Sequence, residues 1–210
     1  MSLTVIEDFI LKDKQDELEA YVKDSKFPYR FHKIHNYGAG GAAWGEDLQL
    51  THHLMMYGEH DVSPHFPIIA PLYDTLTKLY GSITFFRAKV NCTFPSVTMS
   101  PYAPQEPHVD LKYEDGRSVP HLVCLYYINN ADGPTYFYDG NGRITHKIEP
   151  DKGTAVIFDG SIMHAGSNPV NFPYRFAFNI NFRQGTSEKL WYDDKQQQGW
   201  PKKVLFAWQA

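Results

Sequence analysis

Cysteine is scarce: Cys92 and Cys124 are the two in 210 residues, each among strand-like apolar neighbours. They read as buried reduced thiols rather than a disulfide framework or a redox pair. Long hydrophobic runs are also missing. The longest, residues 122–128, falls far short of the roughly 20 apolar residues that a membrane-spanning helix needs. The amino end, Met1-Ser2-Leu3-Thr4, has no basic stretch followed by an apolar core, so a cytoplasmic protein without a membrane partner is expected. There is no excess of positive charge either: 20 Lys and Arg against 24 Asp and Glu give a formal net charge of −4. Nothing global draws the chain to phosphate backbones, and nucleic acid is not expected as a partner.

No repeat, linker or low-complexity tract divides the chain, and 42% hydrophobic with 15% aromatic residues can fill one core. Disordered, collagen-like and coiled-coil classes are excluded, and a single domain over residues 1–210 is expected. In residues 5–23, Ile6, Phe9, Ile10, Leu18, Tyr21 and Val22 recur at mostly helical spacing, which predicts a short opening strand and then a helix. Residues 26–64, with Gly38, Gly40, Gly41 and no sustained period, predict an irregular segment with one strand pair. A second helix is predicted over residues 67–80, with Ile68, Leu72, Leu76 and Leu79 on one face and Gly81 as its stop. This helical and irregular part ends near residue 82. Short runs of Val, Ile, Thr, Phe and Tyr punctuated by Gly, Pro, Asn and Asp then mark a strand-rich barrel or sandwich over residues 83–183, followed by a tail over 184–210.

His108 and Asp110 are two residues apart in Glu106-Pro107-His108-Val109-Asp110, and the period of a strand puts both side chains on one face. Alone, such a pair is common. A third donor follows 56 residues later in Ile162-Met163-His164-Ala165-Gly166, after the apolar run at 154–158. Two imidazoles and one carboxylate suit non-haem Fe(II), because three ligands on one triangular face leave the opposite face open. Residues 174–182 then alternate strictly. Tyr174, Phe176, Phe178, Ile180 and Phe182 form an aromatic and apolar face, while Arg175, Ala177, Asn179, Asn181 and Arg183 point toward a polar interior. A buried Arg needs an anion, either a surface carboxylate of the protein or a ligand carboxylate that the guanidinium fork matches. The position of Arg175, 11 residues past His164, favours the ligand.

These residues resemble the Fe(II)- and 2-oxoglutarate-dependent oxygenases, most closely the prolyl-hydroxylase-like branch, over residues 97–182, with a weaker match in the amino-terminal helix. The resemblance implies a mainly β double-stranded β-helix (a cupin-like jelly roll) of two antiparallel sheets with amino-terminal helices packed on one. It makes His108, Asp110 and His164 the iron ligands and Arg175 the anchor of the cosubstrate's far carboxylate. In Leu125-Tyr126-Tyr127-Ile128-Asn129 it gives Tyr127 to the same carboxylate, with Tyr126 facing outward. It adds Tyr102, from Val97-Thr98-Met99-Ser100-Pro101-Tyr102, and Asn179 as cosubstrate contacts. Fe(II), 2-oxoglutarate and O2, with ascorbate as reductant, are the implied cofactors. The implied reaction is hydroxylation of an aliphatic C–H, foremost a prolyl residue in a peptide or protein. Oxygenation of a free amino acid or other small molecule, and a non-catalytic cupin-like metal- or sugar-binding module, are the alternatives. Asp110 disfavours halogenation, whose enzymes lose that carboxylate.

Two departures from the family pattern stand out. Asp132-Gly133-Pro134-Thr135 replaces a Gly pair before the Thr, and Asn181 replaces a bulky residue, which implies a roomier or more polar pocket. Arg117, between the iron motif and the next strand, is a candidate substrate contact or a solvated loop residue. The other histidines, His32, His35, His52, His53, His60, His65, His121 and His146, mostly read as loop or surface residues. Gly38-Ala39-Gly40-Gly41 lacks the ending of a phosphate loop and reads as a turn. Asp139-Gly140-Asn141-Gly142 reads as a tight turn between strands.

Overall fold

A computed structural model describes residues 3–37, 43–56, 62–96, 100–113, 115–185 and 204–206. In chain order the elements are β1 (Leu3–Ile6), α1 (Lys12–Lys23), β2 (Arg30–Tyr37) and β3 (Ala43–Met56). A 3-10 turn (Phe66–Ile69) leads into α2 (Ala70–Tyr80), then β4 (Ile83–Thr93), β5 (Leu111–Tyr113), β6 (Leu122–Tyr127) and β7 (Thr135–Tyr138). The chain continues through β8 (Ile144–Ile148), β9 (Ala155–Asp159), β10 (His164–Gly166), β11 (Arg175–Gln184) and β12 (Val204–Phe206). Among the described residues the strands form a seven-stranded sheet in the order β1-β9-β6-β11-β4-β3-β2 and a three-stranded sheet β10-β7-β8. β12 pairs with β5. All the pairings are antiparallel, and bridges at Pro104–Ser167 and His108–His164 continue the small sheet beyond β10. The result is a double-stranded β-helix with helices on the outer face of the large sheet.

Side-chain parity divides the molecule into two cores. Phe176, Phe178, Ile180 and Phe182 of β11 join Ala88, Val90 and Cys92 of β4 and Cys124 and Tyr126 of β6 against Leu18, Val22, Leu72 and Leu76 of the helices. The opposite face of the same strands looks into the barrel. There Val123, Leu125, Tyr127, Val156 and Phe158 meet Phe137 of the small sheet. Both cysteines are free thiols in the helix-side core. Tyr126 therefore points away from the barrel, as expected, but into the helix-covered core with no exposure to solvent.

The opening strand, both helices and the Gly81 stop appear where the pattern places them, Gly81 taking φ 72° at the end of α2. Residues 26–64 differ. Most of this stretch is strand, in the long hairpin of β2 and β3 that widens the large sheet. A register shift between His53 and Met55 breaks the alternation that would have revealed β3. The apolar face of α2 is also rotated from its predicted setting. The chain buries Ile69, Leu72 and Leu76, while Leu79 is 53% exposed. The Gly38–Gly41 stretch lies outside the described residues. The Asp139 turn is as expected: its carboxylate accepts the amides of Asn141 and Arg143, and Gly142 sits at φ 76°.

The rotation of α2 is open to test. Leu76→Ala should cost about 2–5 kcal/mol through lost burial and the cavity left behind, and Leu79→Ala should stay within about 0.5 kcal/mol, both read from urea-denaturation midpoints.

Candidate metal centre

The loop before β5 and the first residue of β10 face each other across the reciprocal backbone bonds His108 N to His164 O (2.9 Å) and His164 N to His108 O (3.0 Å). This pairing stacks the two imidazoles, with ring centroids 4.9 Å apart. Each ring donates its Nδ1–H to a backbone carbonyl, His108 to Glu106 O (2.9 Å) and His164 to Ile162 O (3.1 Å). Those bonds fix the tautomer and leave both Nε2 lone pairs free. Nε2 of His108 lies 4.0 Å from Asp110 Oδ1 and Nε2 of His164 lies 3.9 Å from Oδ2. The three donor atoms lie within 4.8 Å of one another, spacing that can hold a metal ion. Burial, and then the second imidazole, push His108 down to about 4, so its ring is a neutral donor at pH 7.

Asp110 is 1% exposed and would be costly to bury as an isolated anion. Three donors hold it. Arg87 Nη2, from β4, contacts Oδ1 at 2.5 Å, Asn181 Nδ2 donates to Oδ2 at 2.8 Å, and Asn179 Nδ2 donates to Oδ2 at 3.1 Å. Arg87 is itself steadied by Nε donating to Asn181 Oδ1 at 2.8 Å. Burial pushes the Asp110 carboxyl up, but Arg87 and then the two imidazoles outweigh it and hold the group well below the usual carboxylate range. A carboxylate offers about four lone-pair directions, and these bonds leave room for one metal-facing oxygen.

A second cluster lies farther along β11. Arg175 is 6% exposed, donates Nη2 to Thr135 Oγ1 (2.8 Å) and stands 5.3 Å over the Tyr127 ring. Tyr127 donates its hydroxyl to the same Thr135 oxygen (2.9 Å). Two donors onto one hydroxyl oxygen leave the Thr135 proton free to be donated elsewhere. Arg175 Nε is buried without a partner, and among the described residues no carboxylate reaches the guanidinium. Burial disfavours its charge, with Tyr127 giving partial compensation.

The structure thus brings His108, Asp110 and His164 together, and Arg175 with Tyr127. Three other candidates have these partners. Asn179 spends its amide on Asp110, because its strand position lies beside the metal-facing carboxylate rather than beside Arg175. Tyr102, at φ 59°, donates its hydroxyl to Asp132 (3.1 Å) and accepts from Asn171 (3.0 Å), away from the Arg175 cluster. Arg117 is solvated and pairs with Asp115 (2.7 Å) in the turn after β5, where it also lies over the Tyr113 ring. Asn181 does make the pocket more polar, by holding Asp110 and Arg87. His121 departs from the surface reading of its class: it is 5% exposed and packs where a Cβ on Gly160 would fall.

Sequence reasoning missed Arg87 and Thr135. Arg87 carried a signal, since Arg87, Lys89 and Asn91 alternate with Ala88, Val90 and Cys92 as strictly as the residues of β11. Thr135 is positioned by the unusual turn before it. Asp132 accepts the amides of Val170 and Asn171 (both 2.8 Å). Gly133 admits no side chain, because a Cβ there would sit 2.6 Å from Ser167 O.

Residues 97–183 match the 2OG-Fe(II) oxygenase superfamily. No curated protein matches the chain. Among solved structures, the fold is similar to a Pseudomonas putida prolyl-4-hydroxylase (16% identity, TM-score 0.55, covering 87% of this chain and 92% of that one). It is similar also to the viral collagen prolyl hydroxylase of Paramecium Bursaria Chlorella virus-1 in its 2OG complex (17%, 0.54, 88% and 97%). A third is the non-heme alpha-ketoglutarate dependent epimerase SnoN from nogalamycin biosynthesis (12%, 0.59, 88% and 78%). At these identities the likeness is one of fold. The superfamily works with Fe(II), 2-oxoglutarate and O2, and the donor set fits: two imidazole nitrogens and a carboxylate for the metal, and a buried guanidinium lacking a protein anion for the dicarboxylate.

Two outcomes follow for the metal-free protein. Arg87→Met should cost about 3–5 kcal/mol by leaving Asp110 buried and uncompensated, and saturating Mn(II) should recover part of that loss, as read from urea midpoints with and without the metal. His108 titrates at 6.5 as a reference group and at about 4 in the fold. Between those values the unfolded chain binds the extra proton, so stability falls as pH drops from 6.5 toward 4. This one proton contributes a slope of at most about 1.4 kcal/mol per pH unit, and His108→Gln should flatten the measured pH dependence accordingly.

Proposed function

We propose that this chain, whose residues 97–183 belong to the 2OG-Fe(II) oxygenase superfamily, is a dioxygenase that holds Fe(II) on His108, Asp110 and His164 and hydroxylates an aliphatic C–H. Foremost we infer a prolyl residue in a peptide or protein as substrate. The far carboxylate of 2-oxoglutarate belongs, in this reading, to Arg175, Thr135 and Tyr127. The observation that carries it is the buried Arg175 without a protein anion, in the same barrel as two imidazoles whose Nε2 atoms converge on one carboxylate. A non-catalytic metal- or sugar-binding barrel has no use for that guanidinium. When bound, Fe(II) would bind O2 and 2-oxoglutarate would supply two of the electrons that reduce it, one oxygen atom leaving in succinate, with CO2 released, and the other going to an unactivated C–H that supplies the remaining two electrons.

The chain's own residues prepare this chemistry by position. The carbonyls of Glu106 and Ile162 keep the Nδ1 protons and so keep both Nε2 atoms available as donors. Arg87, Asn179 and Asn181 prevent Asp110 from turning away. Phe137 and Phe158 flank the His164 ring and exclude water from one side of it. Tyr127, pushed up by burial, stays protonated as a donor. The prolyl reading draws support from the fold shared with two prolyl hydroxylases, whereas the equally similar SnoN is an epimerase. Substrate choice is therefore a matter for assay. Anaerobic loading with Fe(II) and 2-oxoglutarate, followed by O2 and proline-containing peptides, should release succinate in step with peptide hydroxylation; succinate without any peptide dependence would refute the prolyl reading.

The clamp has its own expected outcome. Arg175→Ala should weaken 2-oxoglutarate binding by roughly tenfold to a thousandfold, given about 1.5–3 kcal/mol for hydrogen bonds to charged groups and the penalty of an unpaired buried carboxylate. Arg175→Lys should recover part of it, keeping the charge but not the planar fork. Tyr127→Phe should cost about 0.5–1.5 kcal/mol. All three are read anaerobically from the iron-to-cosubstrate charge-transfer absorbance.

A further inference from the structure

The inner face of β4 carries a third cation that neither the metal triad nor the Arg175 clamp uses. Lys89 is two residues from Arg87 and faces the same way, since Ala88 and Val90 point into the helix-side core. Across the sheet it is in register with Asn179 of β11 and His53 of β3. Asn179 bonds Asp110, which places Lys89 at the metal end of the barrel. Thr93, in register with Arg175, lies four residues further along β4, a distance of about 13–14 Å at the rise of a strand. Among the described residues no hydrogen bond or ion pair reaches Lys89 Nζ.

Its neighbourhood is a donor surface. Asn91, the next inward residue, accepts from Thr51 Oγ1 at 3.2 Å on its Oδ1, which leaves the amide Nδ2 as a second donor on this face. The formal charges point the same way. Arg87, Lys89 and Arg175 are three inward cations, and Asp110 is the carboxylate that bonds one of them. Fe(II) and the 2-oxoglutarate dianion cancel each other, so the loaded site keeps two uncompensated positive charges. Lys89 is partly exposed, unlike Arg175, so its ammonium is reachable from solvent. Burial, and then Arg87, push Lys89 down to about 7; a carboxylate beside it restores the ammonium.

Resting on the function proposed above, we infer that Lys89, with Asn91 beside it, receives a carboxylate of the primary substrate. The C–H that reacts then belongs to a molecule with a free carboxylate near the reacting carbon, such as the carboxy-terminal prolyl unit of a peptide. A blocked residue inside a polypeptide would leave the cation unmatched.

The test uses the whole chain loaded anaerobically with Mn(II) and 2-oxoglutarate, and that loading is confirmed first by the cosubstrate's own binding isotherm. If loading fails in the wild type, the proposed function fails, separately from this inference. N-acetyl-L-proline and N-acetyl-L-leucine are then compared with their carboxamides by paramagnetic broadening of probe resonances. The wild type should broaden the acids at least tenfold more than the amides. Lys89→Met should abolish that preference, Lys89→Arg should retain most of it, and the 2-oxoglutarate dissociation constant should change by less than threefold in both. Equal broadening of acids and amides by the wild type, no broadening at all, or an acid preference that survives in Lys89→Met would each overturn the assignment. A loss of 2-oxoglutarate affinity of tenfold or more in Lys89→Met would overturn it too, by giving the carboxylate to the cosubstrate.

Discussion

The buried Arg87–Asp110 pair is the interaction on which the metal-side geometry depends. A carboxylate in that environment survives only if its lone pairs are satisfied, and the groups that satisfy it come from two strands far apart in sequence. Arg87 lies on β4, and Asn179 and Asn181 on β11. They converge because Arg87 is in register with Asn181 and Lys89 with Asn179. A slip of one residue would turn the polar side chains of either strand into the helix-side core and bring Phe178 and Phe182 into the barrel. The aromatic face of β11 that packs against the helices thus enforces the register that orients the donors to Asp110.

The Arg175 end of the barrel depends on the other sheet. Thr135 opens β7 and joins Tyr127 of β6 to Arg175 of β11, so the clamp exists only where the two sheets face each other. The turn that delivers Thr135 has no tolerance for a side chain at Gly133, whose space is taken by the backbone at Ser167 and Asn168. That same backbone segment follows directly on β10, which begins with His164. His164 and Thr135 are therefore coupled through the pairing of β10 with β7, in which Gly166 is opposite Thr135, and through Ser167 N donating to Pro134 O (2.9 Å) beside the glycine contact.

Much of this was legible in sequence because it rests on period-two patterning and on residue types with few alternative uses. The alternation of residues 174–182 gives the strand, its two faces and the burial of Arg175 at once, and the spacing of His108 and Asp110 puts both on one side. The strand pair expected in residues 26–64 is the hairpin of β2 and β3, and its length was hidden because the shift between His53 and Met55 reverses the in–out pattern midway. The bond of Asn179 to Asp110 was not legible for a subtler reason. Parity says which face a side chain occupies but not which neighbour it meets along that face, and Asn179 lies two rows from Arg175, beside Asp110. Tyr102 takes a left-handed backbone at φ 59°, which alternation in the sequence does not reveal.

The barrel interior is unequal, and the inequality has a physical reason. On β6 and β9 the inner face is Val123, Leu125, Val156 and Phe158, which pack against Phe137 and need no solvent. On β4 and β11 it is Arg87, Lys89, Asn91, Arg175, Asn179 and Asn181. Apolar packing closes one half, where the small sheet lies over the large one. Over β4 and its neighbour β3 the three-stranded sheet does not extend, since it contains only β10, β7 and β8. Arg87 is fully buried there and is held by Asp110 and Asn181, while Lys89 is partly exposed yet close enough to the protein interior for Coulomb attraction to be stronger than in water. The polar half is consequently the side on which a charged molecule can be desolvated with least penalty, and the apolar half is the side against which its hydrocarbon part can be held.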